Sequence, residues 1–66
     1  MELTLNGEQR ELPDGLSALE LLEHLGLRRD TVVVERNESI IPRDELEQIE
    51  LASGDVIEII QMIAGG

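Results

Sequence analysis

The first twelve residues carry the pattern that most restricts the fold of this chain. Met1, Leu3 and Leu5 alternate with polar residues, and this alternation is typical of a strand with one buried face. Asn6-Gly7 follows at once, and this dipeptide favours a β-hairpin because both central residues of a type I′ turn need a positive φ. We therefore expect a second, antiparallel strand over residues 8–12. Its polar composition favours the edge of a sheet.

A helix is predicted next, with signals at both of its ends. Ser17 and Glu20 match a capping box, in which each side chain accepts a hydrogen bond from a backbone N–H at the helix start. The apolar residues that follow recur at helical spacing over residues 18–25: Ala18, Leu21, Leu22 and Leu25. Gly26 supplies a left-handed end to the helix, and Leu27 is placed to fold back on Leu22 as in a Schellman motif.

Three further strands are predicted after the helix. Residues 31–35 are rich in β-branched valine, and residues 40–41 form a very short strand that Pro42 ends. One irregular helical turn is expected over residues 43–48. Residues 56–60 are the most apolar strand, so we expect them at the centre of the sheet beside residues 1–5, covered on most of both faces.

This order of elements predicts an α+β fold of the ubiquitin-like β-grasp type, with one main helix on one face of a mixed sheet of four to five strands. The β-grasp domain covers residues 1–61, and residues 62–66 form a flexible tail that ends in Gly-Gly. The predicted core consists of Leu3, Leu5, Leu21, Leu22, Leu25, Val32, Val34, Ile57 and Ile59.

Length and composition argue against several classes of function. A domain of 66 residues has too small a core to enclose a deep substrate cavity, so a module that docks onto larger partners fits better than an enzyme. The net charge of −10 disfavours nucleic acids as partners, and it either serves solubility or steers the chain toward a basic surface on a partner. The chain has no cysteine for a disulfide or thiolate site. With no signal sequence or apolar run of membrane-spanning length, we expect a cytoplasmic protein that does not bind a membrane.

Gly65 and Gly66 follow closely after the last predicted strand. Because glycine lacks a Cβ, such a backbone can enter a narrow channel and approach a nucleotide closely. The last four residues reach about 13–14 Å from the domain at roughly 3.3–3.6 Å per residue. The Gly66 carboxylate could thus lie inside the active site of another protein, where coupling to AMP would make it reactive. A frayed chain end is the alternative interpretation.

Other candidate residues point to structural roles. His24 falls in the last helical turn, where a partly positive imidazole interacts favourably with the helix dipole. Glu45, Glu47 and Glu50 lack the spacing of a calcium loop, which favours a solvated face over a metal site. Arg43 either caps backbone carbonyls or contacts a partner, and the sequence leaves both roles open.

Several short motifs occur together at characteristic spacings. They are the N-terminal strand with its Asn6 turn, the helix over residues 19–25, Val32-Val33-Val34-Glu35-Arg36-Asn37, Ile41-Pro42-Arg43, Gly54-Asp55 and Ile63-Ala64-Gly65-Gly66. In this combination the chain resembles the ThiS family of thiamine-biosynthesis sulfur carriers along nearly its whole length. Two departures affect the expected partner surface: Asn37-Glu38-Ser39 replaces a frequent Asn-Gly-Glu, and Leu46 lies where an aromatic residue often occurs.

The resemblance implies a protein co-substrate and not an enzyme. An adenylyltransferase similar to ubiquitin-activating enzymes (ThiF-like) would use ATP and Mg²⁺ to convert the Gly66 carboxylate to an acyl adenylate. Sulfur from cysteine, released through a cysteine desulfurase, would then give a thiocarboxylate for a thiazole synthase (ThiG-like). Gly66 is the modified residue. The tail threaded into the partner's channel comprises Met62, Ile63, Ala64 and Gly65. The carrier itself is implied to bind no cofactor or metal and to contribute no catalytic residue.

Two alternatives stay open at this point. A carrier of the same fold for molybdopterin, cysteine or tRNA thiolation would share the Gly-Gly end. An acidic protein-interaction module, such as an inhibitor of a protein with a basic site, would make no use of the tail. Deletion of Gly65 and Gly66 would separate the carriers from the interaction module.

Overall fold

A computed structural model, which describes residues 1–62, shows one helix packed on one face of a five-stranded mixed sheet. The strands are β1 (Glu2–Leu5), β2 (Glu8–Glu11), β3 (Val32–Arg36), β4 (Ser39–Ile41) and β5 (Val56–Gln61), and the helix is α1 (Ala18–His24). Short 3₁₀ helices occupy Arg29–Thr31 and Arg43–Glu45. The predicted fold class and order of elements are confirmed.

The strands lie in the order β2–β1–β5–β3–β4. β5 pairs in parallel with β1, where Leu5 lies opposite Ile57, and antiparallel with β3, where Val34 lies opposite Ile59. The chain thus passes from its first hairpin through α1 to a second hairpin, β3–β4, and its last strand, β5, lies between the two hairpins, which is the β-grasp topology. The predictions that the last strand lies beside the first and that β2 is an edge strand are confirmed.

Both hairpins turn through two residues with left-handed backbone. Asn6 and Gly7 have φ angles of 48° and 83°, as the predicted type I′ turn requires. In the second hairpin, Asn37 and Glu38 have φ angles of 52° and 71°. Glycine is preferred at the second position of such a turn. Glu38 therefore holds a conformation that is unfavourable for a residue with a Cβ.

Both ends of α1 follow the signals in the sequence. The Ser17 Oγ accepts a hydrogen bond from the Glu20 N–H at 3.0 Å, and the Glu20 carboxylate accepts one from the Ser17 N–H at 2.9 Å. At the other end, the Leu27 N–H donates to the Leu22 carbonyl at 2.9 Å, around Gly26 with a φ of 73°. The predicted capping box and Schellman motif are confirmed. Among residues 1–62, no helix is long and apolar enough to cross a membrane.

The core lies between α1 and the inner face of the sheet. All but one of its predicted members are buried: Leu3, Leu5, Leu21, Leu22, Val32, Val34, Ile57 and Ile59. The prediction was wrong for Leu25, which is only partly buried because it is the C-cap residue, where the chain turns away from the helix. Ala18, on the predicted apolar stripe of the helix, is buried as well, and four further buried apolar residues were not predicted: Leu12, Ile41, Leu46 and Leu51. They lie in connections or in a very short strand, where no periodicity indicates a buried face.

β5 has one buried and one open side. Ile57 and Ile59 pack toward α1 and are buried, whereas Val56 and Ile60 are 45% and 50% exposed. The expectation that this strand is covered on most of both faces was wrong. In the part of the chain that the structure describes, the single helix covers one face of the sheet and nothing covers the other.

Candidate functional site

The predicted tail begins where the chain leaves the sheet beside the start of β3. The Met62 N–H donates to the Thr31 carbonyl at 2.8 Å, so the backbone of this residue is still tied to the domain, while its side chain is exposed. The other predicted tail residues lie outside the described part of the chain: Ile63, Ala64, Gly65 and Gly66. Their roles, and the flexibility predicted for the tail, stay predictions.

Two asparagines from the hairpin turns hold β5. The Asn6 Oδ1 accepts a hydrogen bond from the Ile59 N–H at 2.8 Å, and the Asn37 Oδ1 accepts one from the Val56 N–H at 2.9 Å. Asparagine suits both positions because it tolerates a left-handed backbone and offers a side-chain acceptor. The two asparagine side chains thus accept hydrogen bonds from β5 at positions where its regular backbone pairing with β1 or β3 has ended. The strand that leads to the tail is therefore fixed on both sides.

Asp55 joins the start of β5 to the second hairpin. Its buried carboxylate accepts hydrogen bonds from the Arg36 Nε at 2.9 Å, the Asn37 Nδ2 at 3.1 Å and the Ala52 N–H at 2.9 Å. Burial by itself would raise the pKa of Asp55. The hydrogen bonds from Ala52, Asn37 and Arg36, together with the Arg36 charge, outweigh burial and lower the pKa below its ordinary value. Asp55, the second residue of the Gly54-Asp55 motif, thus has a structural role.

The sheet surface turned away from α1 forms a candidate binding surface, which we call the open face. Its strand residues alternate with those that point to the other side of the sheet: Glu2, Thr4, Gln9, Glu11, Val33, Glu35, Ile40, Val56, Glu58 and Ile60. Ile40 is 64% exposed, and Val56 and Ile60 are about half exposed. Scattered exposed apolar residues are ordinary, but several on one uncovered sheet face are typical of an interaction surface.

The charge of the open face has a single sign. Glu2 lies opposite Glu11 in the β1–β2 pair, and Glu35 lies opposite Glu58 in the β3–β5 pair. All charged side chains of the open face are glutamates, as the strand register assigns them. The surface therefore combines apolar area with negative charge, and it lies on the strand that leads to the predicted tail.

Arg43 caps a carbonyl, which was one of the two roles left open by the sequence. Its Nε donates to the Arg29 carbonyl at 3.0 Å, and the Arg29 Nη2 in turn donates to the Glu47 carboxylate at 2.9 Å. The hydrogen bond and the charge of Arg29 lower the pKa of the Glu47 carboxyl. These contacts tie the two 3₁₀ segments together.

The remaining candidate residues do not converge on a site. His24 lies in the last turn of α1 and is exposed. Glu45 and Glu50 are also exposed, and Glu47 is engaged by Arg29. Within residues 1–62, no group of three histidine, cysteine or acidic side chains is arranged to hold a metal ion.

The open face is the candidate binding surface that reasoning from the sequence missed. Its signal was Glu58, which interrupts the apolar run of residues 56–60 at an outward position. A strand covered on both faces would have to bury this carboxylate without a partner, which is costly. The glutamate therefore indicated a strand with one solvated side.

Taken together, the mixed sheet, the parallel pairing of its first and last strands and the single covering helix define a small ubiquitin-like β-grasp protein. Comparison with known protein families narrows this class. The ThiS family model matches residues 3–66, and the chain belongs to the ThiS family.

Individual relatives are of two kinds. The sulfur carrier protein ThiS of Escherichia coli (strain K12) is 33% identical over 66 residues, which cover 100% of both chains. The thiazole synthase of Paramagnetospirillum magneticum is 38% identical over 66 residues, which are 100% of this chain and 20% of that protein. The chain thus spans about a fifth of the length of the thiazole synthases that it matches.

A solved structure agrees with the fold. The crystal structure of a thiamine biosynthesis protein (ThiS) from Geobacter metallireducens superimposes with a TM-score of 0.86 at 29% sequence identity. The superposition covers 100% of both chains. The two proteins therefore share the β-grasp fold.

Proposed function

We propose that this chain is a sulfur carrier of thiamine biosynthesis, and that the Gly66 carboxylate is the group that carries the sulfur. The main support is the family match over residues 3–66, which includes the predicted tail. The similarity to thiazole synthases favours thiazole formation over molybdopterin, cysteine or tRNA thiolation. The similarity to named sulfur carriers favours carrier chemistry over a plain interaction module.

The chemistry would take place in the active sites of partner enzymes. A ThiF-like adenylyltransferase supplies ATP and Mg²⁺, a Gly66 carboxylate oxygen attacks the α-phosphorus, and pyrophosphate leaves. A sulfur donor charged by a cysteine desulfurase then attacks the acyl carbon of the adenylate, and AMP leaves. Because the donor is a persulfide, this attack gives an acyl disulfide. A partner thiol then attacks the donor's own sulfur, forms a disulfide with it and releases the Gly66 thiocarboxylate, from which a ThiG-like thiazole synthase takes the sulfur.

The domain would contribute presentation and not catalysis. The hydrogen bond from Met62 to Thr31 fixes the point from which the tail starts, and residues 63–66 can span about 13–14 Å beyond it. The open face lies on the same strand and would hold the domain against the partner. Because the partner supplies the catalytic groups, this chain acts as a co-substrate and not as an enzyme.

The composition of the chain supports the handling of an activated acyl group. It contains neither cysteine nor lysine, since all five of its basic residues are arginine. No side-chain thiol or primary amine is therefore present to capture the acyl adenylate. The sulfur donor therefore meets no competition from a cysteine or lysine of the carrier.

Intact-mass spectrometry tests the proposal. After incubation with the cognate adenylyltransferase, ATP, Mg²⁺ and a sulfur donor, we expect one oxygen to be exchanged for sulfur, and fragmentation should place the exchange at Gly66. The matched control carries one additional residue after Gly66, which displaces the terminal carboxylate by about 3.5 Å and should prevent modification without affecting the fold. If the extended chain still supports thiazole formation without being trimmed, the Gly66 carboxylate is not the working group.

A further inference from the structure

The centre of the open face contains a pair of like charges. Glu35 on β3 and Glu58 on β5 are partners in an antiparallel register, so their Cβ atoms are about 4.5–5.5 Å apart. Two carboxylates directly opposite each other destabilise a strand pair. Among the ion pairs that residues 1–62 form, none involves Glu35 or Glu58.

The arginines of the chain are not placed to neutralise this pair. Arg36 follows Glu35 directly but points to the opposite side of the sheet, where it is bonded to Asp55 at 2.9 Å. Arg10 alternates with the open-face residues of β2 and also points away. The others lie outside the strands: Arg28, Arg29 and Arg43. A cation that compensates the pair would therefore come from another molecule.

Apolar side chains surround the two glutamates. Ile40 lies opposite Glu35 on β4, and Val56 and Ile60 occupy the outward positions on either side of Glu58. Val33 lies opposite Ile60. A partner that covers these residues would exclude water from the carboxylates, and their attraction for a cation would become stronger in the less polar surroundings.

We propose that the open face docks onto a protein surface that presents an arginine from within an apolar patch, and that its guanidinium binds between Glu35 and Glu58. The inference rests on the proposed function, in which this partner is the adenylyltransferase that receives the tail. The planar guanidinium has several N–H donors in a fixed geometry, so one group can bridge two neighbouring carboxylates.

Charge argues against other occupants of the open face. A second copy of this chain would bring its own Glu35 and Glu58 against the first pair. The phosphates of a nucleic acid would be repelled in the same way. A bound calcium ion takes 6–8 oxygen ligands, more than two carboxylates supply. A basic protein surface with apolar surroundings is the complement that fits.

The test measures adenylation kinetics with the purified cognate adenylyltransferase, read as pyrophosphate release. The double variant Glu35→Gln/Glu58→Gln should raise the KM for the carrier by at least about tenfold, because the partner's arginine would be buried without its counter-charge. The kcat should not change, because Gly66 is intact. The KM of the double variant should also depend less on salt concentration than that of the wild type.

A matched control separates this effect from net charge. Glu23→Gln/Asp44→Asn removes the same two charges from exposed positions on α1 and on the second 3₁₀ helix, away from the open face. Its KM should change by less than about twofold, as is typical of peripheral charges. An equal rise in KM for both double variants would show general electrostatic attraction and would overturn the proposed arginine site.

The isolated protein provides a second readout. Glu58→Gln should raise the midpoint of thermal unfolding by about 2–4 °C, because it removes the cross-strand repulsion. A lower midpoint would show that the pair is already compensated within the domain and would overturn the inference. If the wild type is adenylated and Glu35→Gln/Glu58→Gln has an unchanged KM, this inference fails and the proposed function stands. If the wild type is not adenylated at all, both this inference and the proposed function fail.

Discussion

Asn6 and Asn37 occupy the same position in the two hairpin turns and stabilise the same strand. Each combines a left-handed backbone with a side-chain carbonyl that accepts a hydrogen bond from β5. The two turns differ in the residue that follows, which is Gly7 in one and Glu38 in the other. Both have a positive φ, and only glycine adopts it without steric cost. The backbone of the second hairpin is therefore strained at Glu38, whereas the first hairpin has glycine at the equivalent position.

Glu38→Gly should stabilise the domain. Relief of the left-handed conformation is worth about 1–2 kcal/mol, and the greater freedom of glycine in the unfolded chain offsets about 0.5–1 kcal/mol of it. We expect a net gain of about 0.5–1 kcal/mol in the free energy of unfolding, measured by urea denaturation. Glu38→Ala removes the same charge but keeps the Cβ, so it should gain much less. Equal gains in both variants would attribute the effect to charge.

At the scale of the element, the stability of α1 depends on its packing against the rest of the domain. It has seven residues, and a helix of this length is marginal in water even with good caps. Leu21 and Leu22 insert into the core against the sheet and are fully buried, whereas Leu19 is only partly buried. Packing thus provides most of the stability of α1, and the capping box and Schellman motif set where it begins and ends.

Leu22→Ala should destabilise the domain by about 2–5 kcal/mol, because it leaves a cavity at a fully buried position. This is a large fraction of the stability of a domain of this size, so partial unfolding at room temperature is expected. Circular dichroism with urea titration measures the loss. Leu19→Ala, on the same helix but less buried, should cost clearly less. Equal losses in the two variants would show that the cost does not depend on burial and would contradict the dominant role of core packing.

At the scale of the whole molecule, repulsion between the excess negative charges opposes the stabilisation that the small core provides. The net charge of −10 adds repulsion throughout the fold, while the buried Asp55 is stabilised as a carboxylate by Ala52, Asn37 and Arg36. Lowering the pH therefore has two opposing effects on the stability of the domain. Protonation of the exposed glutamates relieves repulsion, and protonation of Asp55 disrupts the joint between β5 and the second hairpin.

The contribution of Asp55 should appear as a pH-dependent difference between the wild type and Asp55→Asn. The pKa of Asp55 is lowered in the folded state, so the stabilisation is fully present above the unfolded pKa of about 3.9 and is lost as the pH falls through the folded pKa. We expect the difference in unfolding free energy between the two proteins to shrink as the pH falls from about 6 to about 3. Asp44→Asn, at an exposed position, should show no such trend. A difference that stays constant over this range would contradict the role assigned to the Asp55 carboxylate.

Local signals in the sequence were sufficient for most of the fold. The Asn6-Gly7 turn, the two caps of α1 and the apolar alternation of the first strand each specify backbone geometry within a few residues, so each could be predicted without knowledge of the rest of the chain. The central position of β5 followed from its apolar composition. Leu25 was placed wrongly because helical periodicity does not show where the helix ends against the core.

The tail could be predicted from the sequence, whereas the candidate binding surface was found only in the tertiary structure. Gly65-Gly66 and its proposed chemistry follow from the sequence and the family, since they depend on residue type and not on packing. The open face, the pairing of Glu35 with Glu58 and the hydrogen bonds to Asp55 depend on contacts between residues that are about twenty positions apart in the chain. A one-residue shift in the register of β3 against β5 would separate the two glutamates and turn a different set of side chains outward. Only the tertiary structure fixes that register, because it is the burial of Val34 and Ile59 under α1 that selects one pairing among those that the strand sequences allow.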